Sequence, residues 1–222
     1  MPSTAFSAWP EPSQNSLPAR AGLPTARFVA GRVSRLRVTP ESVPPSTRPV
    51  ARSGEFLIVS ALVPYKRIDL AVAAFNRARL ALAVVGTGPD LKKLKKLAGP
   101  TIRFLGSLDA DELREAYRKA QGLLIPGEED FGITALEAQA CGTPVIAFGK
   151  GGAVETVVPW ETGLLYQDLS VSGLAGALDK FRRLEFNKSV LRSNAMKFSR
   201  PAFKEKLVSF IETAWREFRS RP

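Results

Sequence analysis

The sequence predicts an α/β domain in which a doubly wound parallel sheet is covered by helices on both faces and followed by further helices at the C-terminal end. Three observations carry that expectation. From Glu55 onward, short continuous apolar runs alternate with segments of helical period, the pattern of strands buried on both faces. Glycine-containing loops follow the apolar runs, where a parallel sheet turns into its crossover helices. With 222 residues and 45% hydrophobic content, the chain can also fill a sizeable core.

The elements read off in order. FLIVSAL (56–62) is a short β-branched run, and RIDLAVAAFNRA (67–78) places Ile68, Ala71, Val72 and Phe75 at helical spacing. ALAVVG (81–86) is the next strand and DLKKLKKLA (90–98) a helix, with KKLKK exposed and Leu91, Leu94 and Leu97 buried. TIRFLG (101–106) is a strand, and DADELREAYRKA (109–120) a helix with acids in its first turn. GLLIP (122–126) and PVIAF (144–148) are strands on either side of a helix that starts near Gly132, and GLLY (163–166) is a last short strand. Two or three helices follow, including LAGALDKFRRL (174–184) and FKEKLVSFIETAWREF (203–218). This domain spans 54–220.

Residues 1–53 are unlike the rest. They are rich in Pro, Ser and Arg, and only ARFVAGRVSRL has helical spacing, with Phe28, Val29, Val33 and Leu36 on one face. The prolines of VTPESVPPSTRP remove backbone donors and fix φ, so a mostly extended arm is expected.

Charge and composition bound the function. A formal charge of +11 with no histidine points to an anionic partner: phosphorylated small molecules, an acidic membrane surface at which the chain would be peripheral, or nucleic acid. The basic residues are dispersed and no nucleic-acid motif accompanies them, so nucleic acid is not expected. The single Cys141 excludes an intramolecular disulfide, and no metal site is expected without histidine or further cysteines. A reducing, cytoplasmic location fits, because no apolar run approaches the roughly 18–20 residues of a membrane span and MPSTAFSAWPEP lacks the apolar stretch of a secretory signal.

In an open parallel sheet, ligands bind outside the carboxyl ends of the strands. Gly86-Thr87-Gly88, Gly106-Ser107, Pro126-Gly127-Glu128-Glu129 and Gly149-Lys150-Gly151-Gly152 all fall there. Glycines let backbone amides approach a ligand, and the helix starting near Gly132 offers N–H groups to a phosphate. Glu129 and Glu137, with seven residues between them, flank that helix start. Several readings of the two acids stand open. Thr134 and Glu137 could form a capping box while Glu129 is a solvated loop acid. The acids could be a glycoside hydrolase pair. Or they could grip the ribose and the sugar of a nucleotide sugar, with the pyrophosphate between them.

The stretch GEEDFGITALEAQACGTPVIAFGKGGAVETV (127–157) resembles the Glu-x7-Glu signature of the retaining glycosyltransferases of family 4, also called group 1. SALVPYKRIDLAVAAFN (60–76), VVGTGPDLKKL (84–94) and IRFLGSLDADEL (102–113) are similar to further blocks of that family in the same order. The resemblance covers roughly Gly54 to Phe218 and implies the Rossmann-like, C-terminal half of a GT-B fold, which binds the nucleotide-sugar donor. VPYKRIDLA and PGEEDFG look most like enzymes of GDP-mannose and mannosyl transfer. By that resemblance Lys66 contacts the donor diphosphate, Glu129 lies at the donor sugar and Glu137 at the nucleotide ribose. Phe131, Gly132, Ile133 and Thr134 belong to the loop that meets sugar and phosphate. Gly86 and Gly88 lie beside the donor, and Ser107 and Leu108 flank the base. The implied reaction is retaining sugar transfer to a glycan or lipid-linked acceptor in polysaccharide biosynthesis, without a metal cofactor.

Two departures from the family pattern modify these expectations. Ala61 stands where many members carry an arginine that helps hold the diphosphate, and Arg67, where glycine is common, is the candidate to compensate. Residues 27–45 resemble only the last helix and linker of an acceptor-binding domain. A separate acceptor-binding domain or chain is therefore expected, against which the last helix, with Trp215 and Phe218, would pack. The alternatives are a non-catalytic nucleotide-sugar binding module and a truncated relic.

Overall fold

The structure, a computed structural model, describes Val43 and residues 54–220. The extended arm expected over residues 1–53, the apolar face of Phe28, Val29, Val33 and Leu36, and the linker resemblance of residues 27–45 lie outside the described residues, apart from Val43.

Among the described residues the strands are β1 (Phe56–Val59), β2 (Leu82–Val85), β3 (Ile102–Gly106), β4 (Leu123–Ile125), β5 (Val145–Phe148) and β6 (Gly163–Tyr166). The helices are α1 (Ile68–Ala78), α2 (Leu91–Leu97), α3 (Ala110–Lys119), α4 (Ile133–Ala140), α5 (Ala153–Thr156), α6 (Val171–Phe181), α7 (Lys188–Met196) and α8 (Arg200–Arg219). The strands form one parallel sheet in the order β3-β2-β1-β4-β5-β6. This is the Rossmann-like, doubly wound order, and the direction of winding reverses between β1 and β4.

The continuous apolar strands are explained by the two cores. Phe56, Ile58, Leu82, Val84, Ile146 and Phe148 face one layer with α1 and α6, whereas Leu57, Ala83, Val85, Leu123, Val145 and Ala147 face the other with α3 and α4. Alternate residues of each strand point to opposite faces, so a strand covered on both sides has no polar position to offer. Val43 is buried in the second layer.

Local signals set several helix ends. Asp109 caps α3 by accepting from the amides of Asp111 and Glu112, while Glu112 accepts from the Asp109 amide, closing a capping box. Only part of the expected α2 face is buried: Leu94 is enclosed, Leu91 is half-buried and Leu97 is 49% exposed. Asn76 of α1 explains the difference, donating to the Leu97 carbonyl at 2.7 Å and accepting from the Gly99 amide at 2.8 Å. The last turn of this seven-residue helix is thus held to α1 by its backbone, which leaves the Leu97 side chain at the rim.

The C-terminal α8 buries none of its residues, and Trp215 and Phe218 are 57% and 67% exposed while stacking on each other. Within the described residues its aromatic end therefore packs on no core.

Gly176 lies exposed within α6, and a methyl group there would meet nothing within 4 Å. Gly176→Ala is expected to stabilise the fold by about 0.5–1 kcal/mol through reduced unfolded-state entropy. A thermal melt should show this as a rise in Tm of roughly 1–4 °C.

Candidate functional site

Two adjoining hollows open at the carboxyl ends of β1 and β4, the point at which the sheet reverses its winding. The first, about 170 Å³, is lined by Lys66, Glu129, Phe131 and Gly132. The second, about 350 Å³, is lined by Gly86, Thr87, Ser107, Leu108 and Glu137. Val59, Ser60, Ala61, Ile133 and Thr134 line both, so the start of α4 and the end of β1 form the ridge between them. Ten of the eleven expected site residues are thereby brought to one continuous surface. Gly88 lines neither hollow, and the space a side chain there would need is filled by the backbone of Leu62.

The glycine loops prove to be braces as well as lining. A Cβ on Gly86 would collide with the Ser60 carbonyl, one on Gly127 with the backbone of Tyr65 and Lys66, and one on Gly152 with the backbone of Phe131. The close approach that glycine allows is thus used between neighbouring loops, clamping them into one rim.

Lys66 ends a short 3-10 turn, Pro64–Lys66, directly after β1, and Glu129 follows β4. Their charged ends meet across the reversal point with Nζ and Oε2 at 2.8 Å, and the side chains are only 11% and 20% exposed. Glu129 is fixed through its backbone, whose carbonyl accepts from the Gly152 amide at 2.6 Å. Lys66 also lies over the Tyr65 ring, 4.9 Å from its centroid. The loop-acid reading of Glu129 therefore gives way to a partly buried ion pair.

The capping-box reading of Glu137 is overturned. The cap of α4 is Gly132, whose φ of 84° lies in the left-handed region, and it receives no side-chain hydrogen bond. Thr134 stands inside the first turn, too late to cap it. Glu137 is 4% exposed, and its Oε2 accepts from the Tyr117 hydroxyl at 2.7 Å. Burial, together with the charge and hydrogen bond of Glu137, holds the Tyr117 hydroxyl well above the usual phenol range.

Position of α4 is secured by groups that short-range sequence patterns do not reveal. Gln139 of α4 donates to the Thr156 carbonyl at 2.9 Å, and Asn194 of α7 donates to Gln139 Oε1 at 2.8 Å and to Thr156 at 3.0 Å. Tyr166 of β6 donates to the Pro126 carbonyl at 2.8 Å, bracing the loop that carries Glu129. Tyr117 carried no signal of its own in the sequence, and its hydroxyl gains a role only where α3 is set against α4. Arg67, the candidate to replace the missing arginine, lines neither hollow; its Nε pairs with Asp69 at 3.4 Å, and it adopts a φ of 53°. That left-handed backbone is the kind glycine takes without strain. Ala61 is exposed on the ridge between the hollows.

The model of the glycosyl transferases group 1 matches residues 44–198, which is well over half of the chain. This chain belongs to that family. Curated relatives of this group 1 glycosyltransferase chain include a D-inositol 3-phosphate glycosyltransferase of Frankia alni, 35% identical over 65% of this chain and 41% of the relative. Another is a GDP-mannose-dependent alpha-(1-6)-phosphatidylinositol monomannoside mannosyltransferase of Mycolicibacterium smegmatis, 32% identical over 71% of this chain and 44% of the relative. The chain thus spans less than half the length of these two relatives. Among solved structures, a Rickettsia africae glycosyltransferase matches with a TM-score of 0.64 at 19% identity, covering 83% of this chain and 56% of that one. HepE of Anabaena, solved in complex with UDP, matches with a TM-score of 0.60 at 20% identity, covering 72% and 49%. These neighbours share the GT-B fold, and the expected fold class and family are both met.

The glycosyltransferase chain carries an alkaline signature beside the site. Burial pushes the Cys141 thiol, just after α4, up to about 12 against the opposing pull of Arg118, with Glu137 adding to the rise. Thiol and phenol are both neutral when protonated, so the folded state binds these protons more tightly than the unfolded one. Their contribution is complete below the unfolded values of 9.0 and 10.0 and is lost as pH rises through the folded ones. The expected Tm profile is level in this respect below pH 9.0 and declines above it, and Cys141→Ala should flatten the decline. Scanning fluorimetry across that range checks it; an unaltered slope in the variant would remove Cys141 from the account.

Proposed function

We propose that this chain is the donor-binding half of a retaining glycosyltransferase that takes GDP-mannose and delivers mannose to a glycan or lipid-linked acceptor. The carrying observation is the Lys66–Glu129 pair at 2.8 Å, set at the winding reversal beside the amino end of α4, with Glu137 in the adjoining hollow. A diphosphate at that helix start would meet backbone amides and the lysine, so its charge is answered by protein groups and calls for no metal ion. Glu129 would face the sugar and oppose the positive charge that grows at the anomeric carbon. Glu137 would accept from the ribose hydroxyls, and Ser107 and Leu108 would flank the base. GDP-mannose is favoured by the Mycolicibacterium relative, whose name states that donor.

Sugar transfer also needs an acceptor held in line with the donor and water kept out. In this reading a separate acceptor-binding domain or chain supplies both. The charge of +11 suits peripheral contact with an anionic membrane, which would bring a lipid-linked acceptor within reach. No helix among the described residues is long and apolar enough to cross a membrane.

Calorimetric and thermal-shift titration with GDP, UDP, ADP, GDP-mannose and UDP-glucose tests the reading. Saturable binding of GDP and GDP-mannose is expected. Preference for another base would replace the donor, and a folded chain that binds none of the five would overturn the donor-site assignment.

A further inference from the structure

We propose that Glu129 competes with the donor's diphosphate for Lys66, so that the site grips an intact nucleoside-diphosphate sugar more firmly than the nucleoside diphosphate left after transfer. The inference rests on the reading above, in which Lys66 meets the diphosphate and Glu129 the sugar.

The ion pair is built into the rim. Gly127 is packed on the backbone of Tyr65 and Lys66, and Gly151 and Gly152 are packed on the backbone of Glu129 and Phe131, so both partners leave clamped backbone. Neither side chain is a freely swinging surface group, since only 11% and 20% of their surfaces are exposed. Both also line the hollow at the start of α4. Any anion that recruits Lys66 there must draw it from a carboxylate already 2.8 Å away.

The two ligands settle this contest differently. An intact donor brings a phosphate to Lys66 and sugar hydroxyls to Glu129, so each member of the broken pair gains a new partner. The nucleoside diphosphate alone brings only the phosphate. Glu129 is then left with its charge facing a second anion in a partly buried site, where like charges are screened less than in water. Free nucleotide is disfavoured, and the pair re-forms as it leaves. Ala61 sharpens the contest, because the ridge residue at this place carries no charge that could hold the diphosphate while Lys66 returns to Glu129.

The test is a double-mutant cycle read by calorimetry, using GDP with GDP-mannose and UDP with UDP-glucose, with thermal melts to confirm folding. Glu129→Gln keeps the shape and removes the charge. It is expected to tighten binding of the free diphosphate by roughly fivefold, the scale of releasing one partly buried ion pair, with no gain for the sugar nucleotide. In a Lys66→Met background the gain should vanish. Unchanged or weaker diphosphate binding by Glu129→Gln, or a gain that survives Lys66→Met, overturns the competition. Failure of the underlying reading looks different: no nucleotide binds the wild-type chain, or Lys66→Met leaves diphosphate affinity untouched.

Discussion

Glu137→Ala is expected to lower affinity for the preferred nucleoside diphosphate by one to two orders of magnitude and to destabilise the fold at the same time. Both effects come from one carboxylate. Its Oε2 accepts from the buried Tyr117 hydroxyl at 2.7 Å, and its side chain lines the second hollow. Truncation strands the tyrosine's donor in a core position, which costs about 1–3 kcal/mol, and removes the acceptor proposed for the ribose. Glu137→Gln separates the two, since an amide oxygen still accepts from Tyr117. The amide should recover most of the lost Tm and only part of the lost affinity. Unchanged affinity in Glu137→Ala by calorimetry would reduce Glu137 to a structural partner of Tyr117.

Gly152→Ala should be still more damaging. Its added methyl group would overlap the backbone of Phe131, which immediately precedes the Gly132 cap of α4. The Gly152 amide also donates to Glu129, and its carbonyl accepts from Thr156 at 2.9 Å, so the loop cannot retreat without releasing the acid. Backbone overlap of this kind costs about 3 kcal/mol, or a Tm lowered by roughly 6–12 °C in a chain of this size. Nucleotide binding should fall below detection, because displacing Phe131 and Glu129 opens the hollow on two sides. A variant that melts normally and still binds would show that the rim yields more easily than its packing implies. The opposite sign expected for Gly176→Ala makes a control within the same chain.

Much of the architecture was legible because it is written in local pattern. The runs FLIV, LAVV and VIAF have no polar position to place toward water, and the structure buries them on both faces. The acids expected in the first turn of α3 are there, and Asp109 with Glu112 closes a cap whose chemistry is confined to one turn. Most of the site was legible for a related reason: in a parallel sheet the loops after the strands share one edge, so strand ends far apart in sequence become neighbours.

The capping-box misreading has a physical cause as well. Thr134 and Glu137 have capping-box spacing, yet α4 is already capped at Gly132 and Glu137 turns inward to Tyr117. Gly88, expected beside the donor, lines neither hollow and is packed on the backbone of Leu62. Arg67, the candidate to offset Ala61, lines neither hollow and pairs with Asp69 two residues on. The spacing of Thr134 and Glu137 was compatible with two partners for the carboxylate, and Tyr117 of another element took it.

The amino-acid sequence by itself determined the alternation of strand and helix, the family, and the set of residues that meet at the sheet's carboxyl edge. Those properties depend on side-chain period and on glycine and acid spacing, which are local. The tertiary structure alone decided that Lys66 and Glu129 are already paired, that Tyr117 holds one oxygen of Glu137, and that Gln139, Thr156 and Asn194 lock α4 in place. Hydrogen bonds and ion pairs act over about 3 Å, and only the folded sheet brings positions tens of residues apart within that reach.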